Sequence, residues 1–237
     1  MRVPVLLAVL ACAAASAREP PLVAVDVGHF RAEPGATSAR GRAEFEFNRE
    51  LALAIRGALE ARGLRVVLIG ADGDMSVLSR RTAAARGAAL FLSVHHDSVQ
   101  PQYLEQWDHD GESGRYSDRF AGFSLFVSRR NRLRATSLAC ASAIGAALRA
   151  ARFAPSLYHA ASIPGEFKPF ADRPNGVHYY DNLVVLHTAT QPAVLLEAGV
   201  IVNRAEELAL REPATQARIA AATAAGVASC VGSQTPL

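Results

Sequence analysis

Apolar runs that stop abruptly at a chemically competent polar residue are the dominant pattern of this sequence. The run over residues 89–94 ends in His95, His96 and Asp97; the run over 22–27 passes into Gly28 and His29; and Ala193-Val194-Leu195-Leu196 ends in Glu197. A short continuous run of large apolar residues fits a strand buried on both faces of a parallel sheet. Between these runs the spacing changes. Leu51, Ile55 and Leu59 repeat every four residues and predict an amphipathic helix that starts near residues 44–47, runs to Arg62 and is closed by Gly63. With a further strand over 64–69, strand, helix and strand form a βαβ unit, which brings a parallel pair and a right-handed crossover. The same reading predicts helices over 76–87, 133–152 and 214–231, and strands over 123–128 and 183–186. Residues 99–119 and 153–180 read as long irregular segments. The second holds Pro155, Pro164, Gly165, Pro169 and Pro174, and loops of this length in a compact domain usually carry function. The expected fold is a single α/β domain with a mostly parallel sheet of about six strands and helices on both faces.

A chain of 237 residues, half of them hydrophobic, can bury the core of one such domain. The net charge of +3 is too small to suggest a dedicated nucleic-acid surface. Residues 1–17 combine one arginine, a short apolar core and Ala15-Ser16-Ala17, the pattern of a secretory signal cleaved after a small-x-small site. The core is too short to span a bilayer. Val9-Leu10-Ala11-Cys12 loosely resembles a lipoprotein box and is the competing reading of the same segment. The chain is therefore expected to be exported, to the periplasm or cell wall, with no membrane span. Export permits a disulfide between Cys140 and Cys230; two small buried apolar residues is the other reading.

If the three apolar runs are parallel strands of one sheet, His29, His95 and Glu197 meet at its carboxyl edge, where open α/β sheets bind ligands. Catalytic zinc takes three protein ligands and leaves a further position open, and two histidines with one glutamate is a known set. His29 and His95 supply the nitrogens. The third ligand must come from the start of the following helix, where Glu44, Glu46 and Glu50 are candidates. Glu197 is then left as a general base that takes a proton from water and returns it to a leaving amine. A lone strand-end histidine or glutamate is usually structural, but several at one edge are not, and a buried carboxylate is costly unless paired or functional.

At these positions the chain resembles the zinc-dependent N-acetylmuramoyl-L-alanine amidases of bacterial cell-wall turnover. Val25-Asp26-Val27-Gly28-His29 is similar to the family's D-P-G-H-G-G, Phe91-Leu92-Ser93-Val94-His95 to F-x-S-I-H, and residues 192–203 to P-A-V-L-V-E-x-G-F-x-x-N. In Glu46-Phe47-Asn48-Arg49-Glu50-Leu51 a glutamate stands five residues before a helix leucine, and that spacing selects Glu46. The resemblance covers residues 21–232. It implies a Zn²⁺ site of His29, Glu46 and His95, Glu197 as the catalytic residue, and hydrolysis of the amide between N-acetylmuramic acid and L-alanine in peptidoglycan. The departures are Val27 and Phe30 around His29, and His96-Asp97 where the family usually has Ala-Asn. Residues 153–180 match nothing in the family's short form. A zinc peptidase acting on stem peptides and a non-catalytic wall-binding module are the alternatives, the second disfavoured because every candidate position holds a competent residue type. An activating partner protein leaves no mark in this sequence.

Overall fold

The computed structural model describes residues 19–232, so the N-terminal segment read as a signal, with Cys12, lies outside the described residues. The elements in chain order are β1 (Leu22–Val27), α1 (Glu44–Glu60), β2 (Arg65–Ile69), α2 (Leu78–Ala84), β3 (Leu90–Asp97), β4 (Glu105–His109), β5 (Glu112–Tyr116), β6 (Ser124–Val127), α3 (Arg134–Ala150), β7 (Phe170–Asp172), β8 (Val177–Tyr179), α4 (Val184–Thr188), β9 (Ala193–Val200), α5 (Arg204–Arg211) and α6 (Pro213–Gly232). Seven strands form one sheet in the order β2-β1-β3-β9-β6-β8-β7. The first four are mutually parallel; β6 runs antiparallel to β9, and β7 antiparallel to β8. The expected α/β domain is present, with one strand more than expected in the sheet.

Side-chain alternation along the strands sorts the core into two layers. Val23, Val25, Val27, Leu90, Leu92, Val94, Val194 and Leu196 face one side and pack with the apolar stripes of α1, α3 and α6. Ala24, Phe91 and Leu195 face the other, where Val185 and Leu186 of α4 and Ala85 beyond α2 cover them. Cys140 of α3 and Cys230 of α6 form a disulfide with their Cα atoms 5.0 Å apart, tying together the two helices that pack side by side on the first face.

Three sequence expectations are corrected. Residues 183–186, a β-branched run expected as a strand, turn instead as the short helix α4, its buried side chains capping the second core layer; tertiary packing overrides local propensity there. Residues 99–119 are not irregular throughout, because β4 and β5 form a two-stranded hairpin. Residues 153–180 contribute β7 and β8 to the sheet edge. These strands are three residues each, too short for an alternating pattern to show.

Candidate active site

Strand alternation aims the site. His95, Asp97 and Glu197 follow the α2/α4 face of the sheet, with His95 and Glu197 side by side in the β3/β9 register. His96 points the other way and tilts against Phe47 of α1. Its Nδ1 lies 2.8 Å from the Asn48 side-chain oxygen, and burial pushes its pKa down to about 3. It is therefore a neutral structural imidazole, donating from Nδ1.

The start of α1 lies above the same rim, and its first residue enters the site. His29 Nε2 stands 3.1 Å from Glu44 Oε2, and His95 Nδ1 3.1 Å from Glu44 Oε1. The two imidazoles meet edge to face with ring centres 5.0 Å apart. Glu46, expected at this place, is exposed on the opposite side of α1 and pairs with Arg42 at 2.8 Å. The helical period explains the difference. Glu44, Asn48, Leu51, Ile55 and Leu59 share the buried stripe, whereas a residue two positions after Glu44 is turned through about 200°.

Glu44 is held from several directions. Ala36 N–H donates to Oε2 at 3.0 Å and Asn48 Nδ2 to Oε1 at 3.0 Å. Burial pushes its pKa up, but the contacts with His29 and His95 more than offset this and hold the carboxyl well below the usual range. His29 adopts φ 65°, a left-handed backbone that a non-glycine residue takes only under constraint. Gly35, at φ 81°, lies so close to Glu44 and His29 that a Cβ there would overlap both, and a Cβ on Gly28 would overlap the His95 ring.

A buried pair lies beneath. Arg81 of α2 meets Asp26 of β1 at 2.8 Å, and Ser93 Oγ donates to the other Asp26 oxygen at 2.7 Å. The guanidinium also donates to the carbonyls of Val27, His29 and Met75, so it clamps the backbone that carries His29. Sequence reasoning missed this group. The available signal was Asp26 itself, a carboxylate inside an apolar strand that must find a cation.

Glu197 is the remaining carboxyl at the rim. Its Oε2 is buried without a hydrogen-bond partner. Burial raises its pKa well above normal, reinforced by the carboxylates of Asp97 and Glu44. A cleft of about 370 Å³ opens beside the cluster, lined by His29, His95, Phe30, Leu78, Val184 and Leu195. A separate cavity of about 490 Å³ runs from Ala36 along the β4/β5 hairpin, past Arg40, Ser98, His109 and Arg115. Trp107 fixes the hairpin there by donating to the Ala39 carbonyl at 2.9 Å.

The donor set fits a zinc ion. One oxygen and two imidazole nitrogens from His29, Glu44 and His95 lie within 4.8 Å of one another. Ligands at 2.0–2.1 Å from tetrahedral zinc stand roughly 3.4 Å apart, close to the observed contacts. His29 keeps a third of its side chain exposed, leaving an open approach.

The sequence profile of N-acetylmuramoyl-L-alanine amidases matches residues 23–229. The chain belongs to this family. Its fold is similar to the amidase Ami1 of Mycobacterium smegmatis (TM-score 0.71, 22% identity, 90% of this chain and 98% of that one). It is also similar to the catalytic domain of CwlV from Bacillus (Paenibacillus) polymyxa var. colistinus (0.68, 26%, 90% and 99%) and to an amidase of Clostridium difficile 630 (0.70, 17%, 92% and 100%). No curated protein is significantly similar to it in sequence. The chain is thus an amidase with a single α/β domain, acting in cell-wall hydrolysis.

Proposed function

We propose that this amidase is an exported, zinc-dependent enzyme that cleaves the bond between the lactyl group of N-acetylmuramic acid and L-alanine, with His29, Glu44 and His95 as metal ligands and Glu197 as general base. The observation that carries the reading is the convergence of two imidazoles and a carboxylate within 4.8 Å, with an unpartnered carboxyl on the neighbouring strand. A bound zinc supplies Lewis acidity at the scissile carbonyl. Asn48 and Ala36 orient the Glu44 carboxylate, and Arg81 orients the His29 loop; losing such supporting contacts typically costs about 10- to 100-fold in metal affinity or activity. Glu197, its proton affinity raised by burial and by neighbouring carboxylates, takes the proton from the attacking water and returns it to the departing amine. The apolar cleft beside His29 suits the methyl-bearing lactyl and alanyl groups on either side of the amide. Export is supported by the N-terminal sequence and by the Cys140–Cys230 disulfide, which fits an oxidising compartment. No described helix is long and apolar enough to cross a membrane.

Mass-spectrometric product analysis on purified peptidoglycan tests the reading. Wild type is expected to release stem peptides with a free L-alanine amino terminus. Chelation abolishes the release and zinc restores it, and Glu197→Gln lowers the rate by about 10²- to 10⁴-fold with zinc still bound. Cleavage within the stem peptide would identify a peptidase instead. A chelator-resistant activity would remove zinc from the mechanism.

A further inference from the structure

A second polar cluster lies on the α2/α4 face and shares only Asp97 with the groups described so far. His159, in the segment between α3 and β7, places Nε2 2.6 Å from Asp97 Oδ2 and Nδ1 2.9 Å from Glu166 Oε2. Lys168 Nζ closes on the same Glu166 oxygen at 2.5 Å, and Gln100 donates to Glu166 Oε1 at 3.1 Å. Asp97 is the last residue of β3, two beyond His95. Its other oxygen accepts from the Ser98 N–H at 2.8 Å. The cluster is enclosed: Asp97 and His159 are both buried, and Phe126, Tyr158 and His178 pack around the imidazole.

The geometry fixes the protonation state of His159. Both ring nitrogens face carboxylate oxygens, which only accept hydrogen bonds. A neutral imidazole has one N–H and would leave the other contact lone pair against lone pair, so both nitrogens carry hydrogen. The cluster then alternates in sign, Asp97 negative, His159 positive, Glu166 negative and Lys168 positive, and balances to zero in a site where an unpaired charge would be costly. The same segment is stitched to the end of β3 by further bonds: Gln100 N–H to the Tyr158 hydroxyl at 2.8 Å and Gln100 Nε2 to the Pro164 carbonyl at 2.8 Å.

We propose that His159 is a positioning residue of the amidase: its imidazolium engages the Asp97 carboxylate and keeps it turned from the metal centre, leaving Glu197 the one uncommitted carboxylate at the rim. Without His159, Asp97 is an anion beside Glu197 with no cationic partner, free to approach the cluster of His29, Glu44 and His95. The role is distinct from folding, because the damage comes from Asp97 and disappears with its charge. It rests on the reading of Glu197 as the base.

Three proteins test it: wild type, His159→Gln, and the double variant Asp97→Asn/His159→Gln. Glutamine can donate to one carboxylate but brings no charge. The expected result is a loss in kcat of about tenfold or more for His159→Gln, with KM and zinc content close to wild type, and recovery of most of that loss in the double variant. A kcat within twofold of wild type overturns the proposal. So does a loss matched by lost zinc or folded fraction, or one that the double variant fails to recover. An activity-free measurement runs beside it: the ¹⁵N spectrum of the folded wild type at pH 7.5 should show both His159 ring nitrogens protonated. A singly protonated ring overturns the proposal even if wild type proves inactive on peptidoglycan, an outcome that by itself counts only against the amidase chemistry.

Discussion

The two halves of the sheet differ in how they hold function. In the parallel half, β2-β1-β3-β9, each strand that reaches the candidate site leads to one of its side chains, and the intervening helix begins at the same edge. The other half, β6-β8-β7, in which β6 and β8 run antiparallel to β9, contributes none of these side chains, yet residues 153–172, which lead from α3 to β7, reach back to Asp97 through His159. The first half assembles the candidate metal site by bringing strand ends and a helix start to one edge. The second trims it through contacts between residues distant in sequence, such as His159 with Asp97 at a separation of 62.

Neutralising Glu44 and Glu46 of α1, one at a time, is the sharpest way to break this account. Glu44→Gln is expected to lower amide hydrolysis by about 10⁴-fold or more, since it removes both the negative ligand and the several kcal/mol of charge stabilisation a bound metal supplies. Glu46→Gln, which alters only an exposed pair with Arg42, should stay within about twofold, because such pairs contribute 0–1 kcal/mol. Zinc stoichiometry measured on both proteins decides the matter: equal zinc retention in Glu44→Gln, or zinc loss in Glu46→Gln, would return the ligand to the motif-based position.

The divergence at Glu46 between motif spacing and geometry shows what was legible. The strand-end residues His29, His95 and Glu197 could be read directly, because an apolar run ending in a polar residue is a local signal. The helix position was chosen by the family's spacing to Leu51, which counts residues, whereas the side chain that meets His29 and His95 is set by its angle on the helix. The stripe of Leu51, Ile55 and Leu59 was recognised, and extending it backwards through Asn48 reaches Glu44. Asp26 with Arg81, and Asp97 with His159, could not be found this way. Their partners lie 55 and 62 residues apart, and nothing in the local pattern of either segment states which carboxylate will receive which cation. The strands β7 and β8 were missed for a related reason: β8 is fixed by its tertiary pairing with β6, and the edge strand β7 by its pairing with β8.

The next largest effect should come from the clamp beneath the site. Arg81→Met leaves Asp26 buried without its cation. Breaking such a pair on one side typically costs about 3–5 kcal/mol, and urea unfolding is expected to show a loss of this size. The His29 carbonyl loses its donor at the same time, so zinc affinity should fall about 10- to 100-fold. A variant with wild-type stability and affinity would show that the loop carrying His29 is held by its own backbone, with Gly35 and the turn sufficing.

The smallest effect separates the trimming half from the metal half by pH. In the folded protein burial works against the His159 charge, but Asp97 and Glu166 more than offset it and raise the pKa from 6.5 to about 9. That contribution to stability is complete below about pH 6.5 and is lost as pH rises through about 9. For Glu166 burial pushes upward, while His159 and Lys168 bring the pKa from 4.5 down to about 2; its contribution is present above pH 4.5 and lost as pH falls through about 2. The melting temperature of wild type should therefore decline more steeply between pH 7 and 10 than that of His159→Gln, by about 2–4 °C for each kcal/mol of charge pairing lost. Carrying out the comparison on metal-free protein keeps ligand binding out of the difference. Parallel curves for the two proteins would mean that the imidazolium contributes no more when folded than when unfolded, and the stitching of residues 153–172 to β3 would then rest on the bonds of Gln100 and Tyr158 alone.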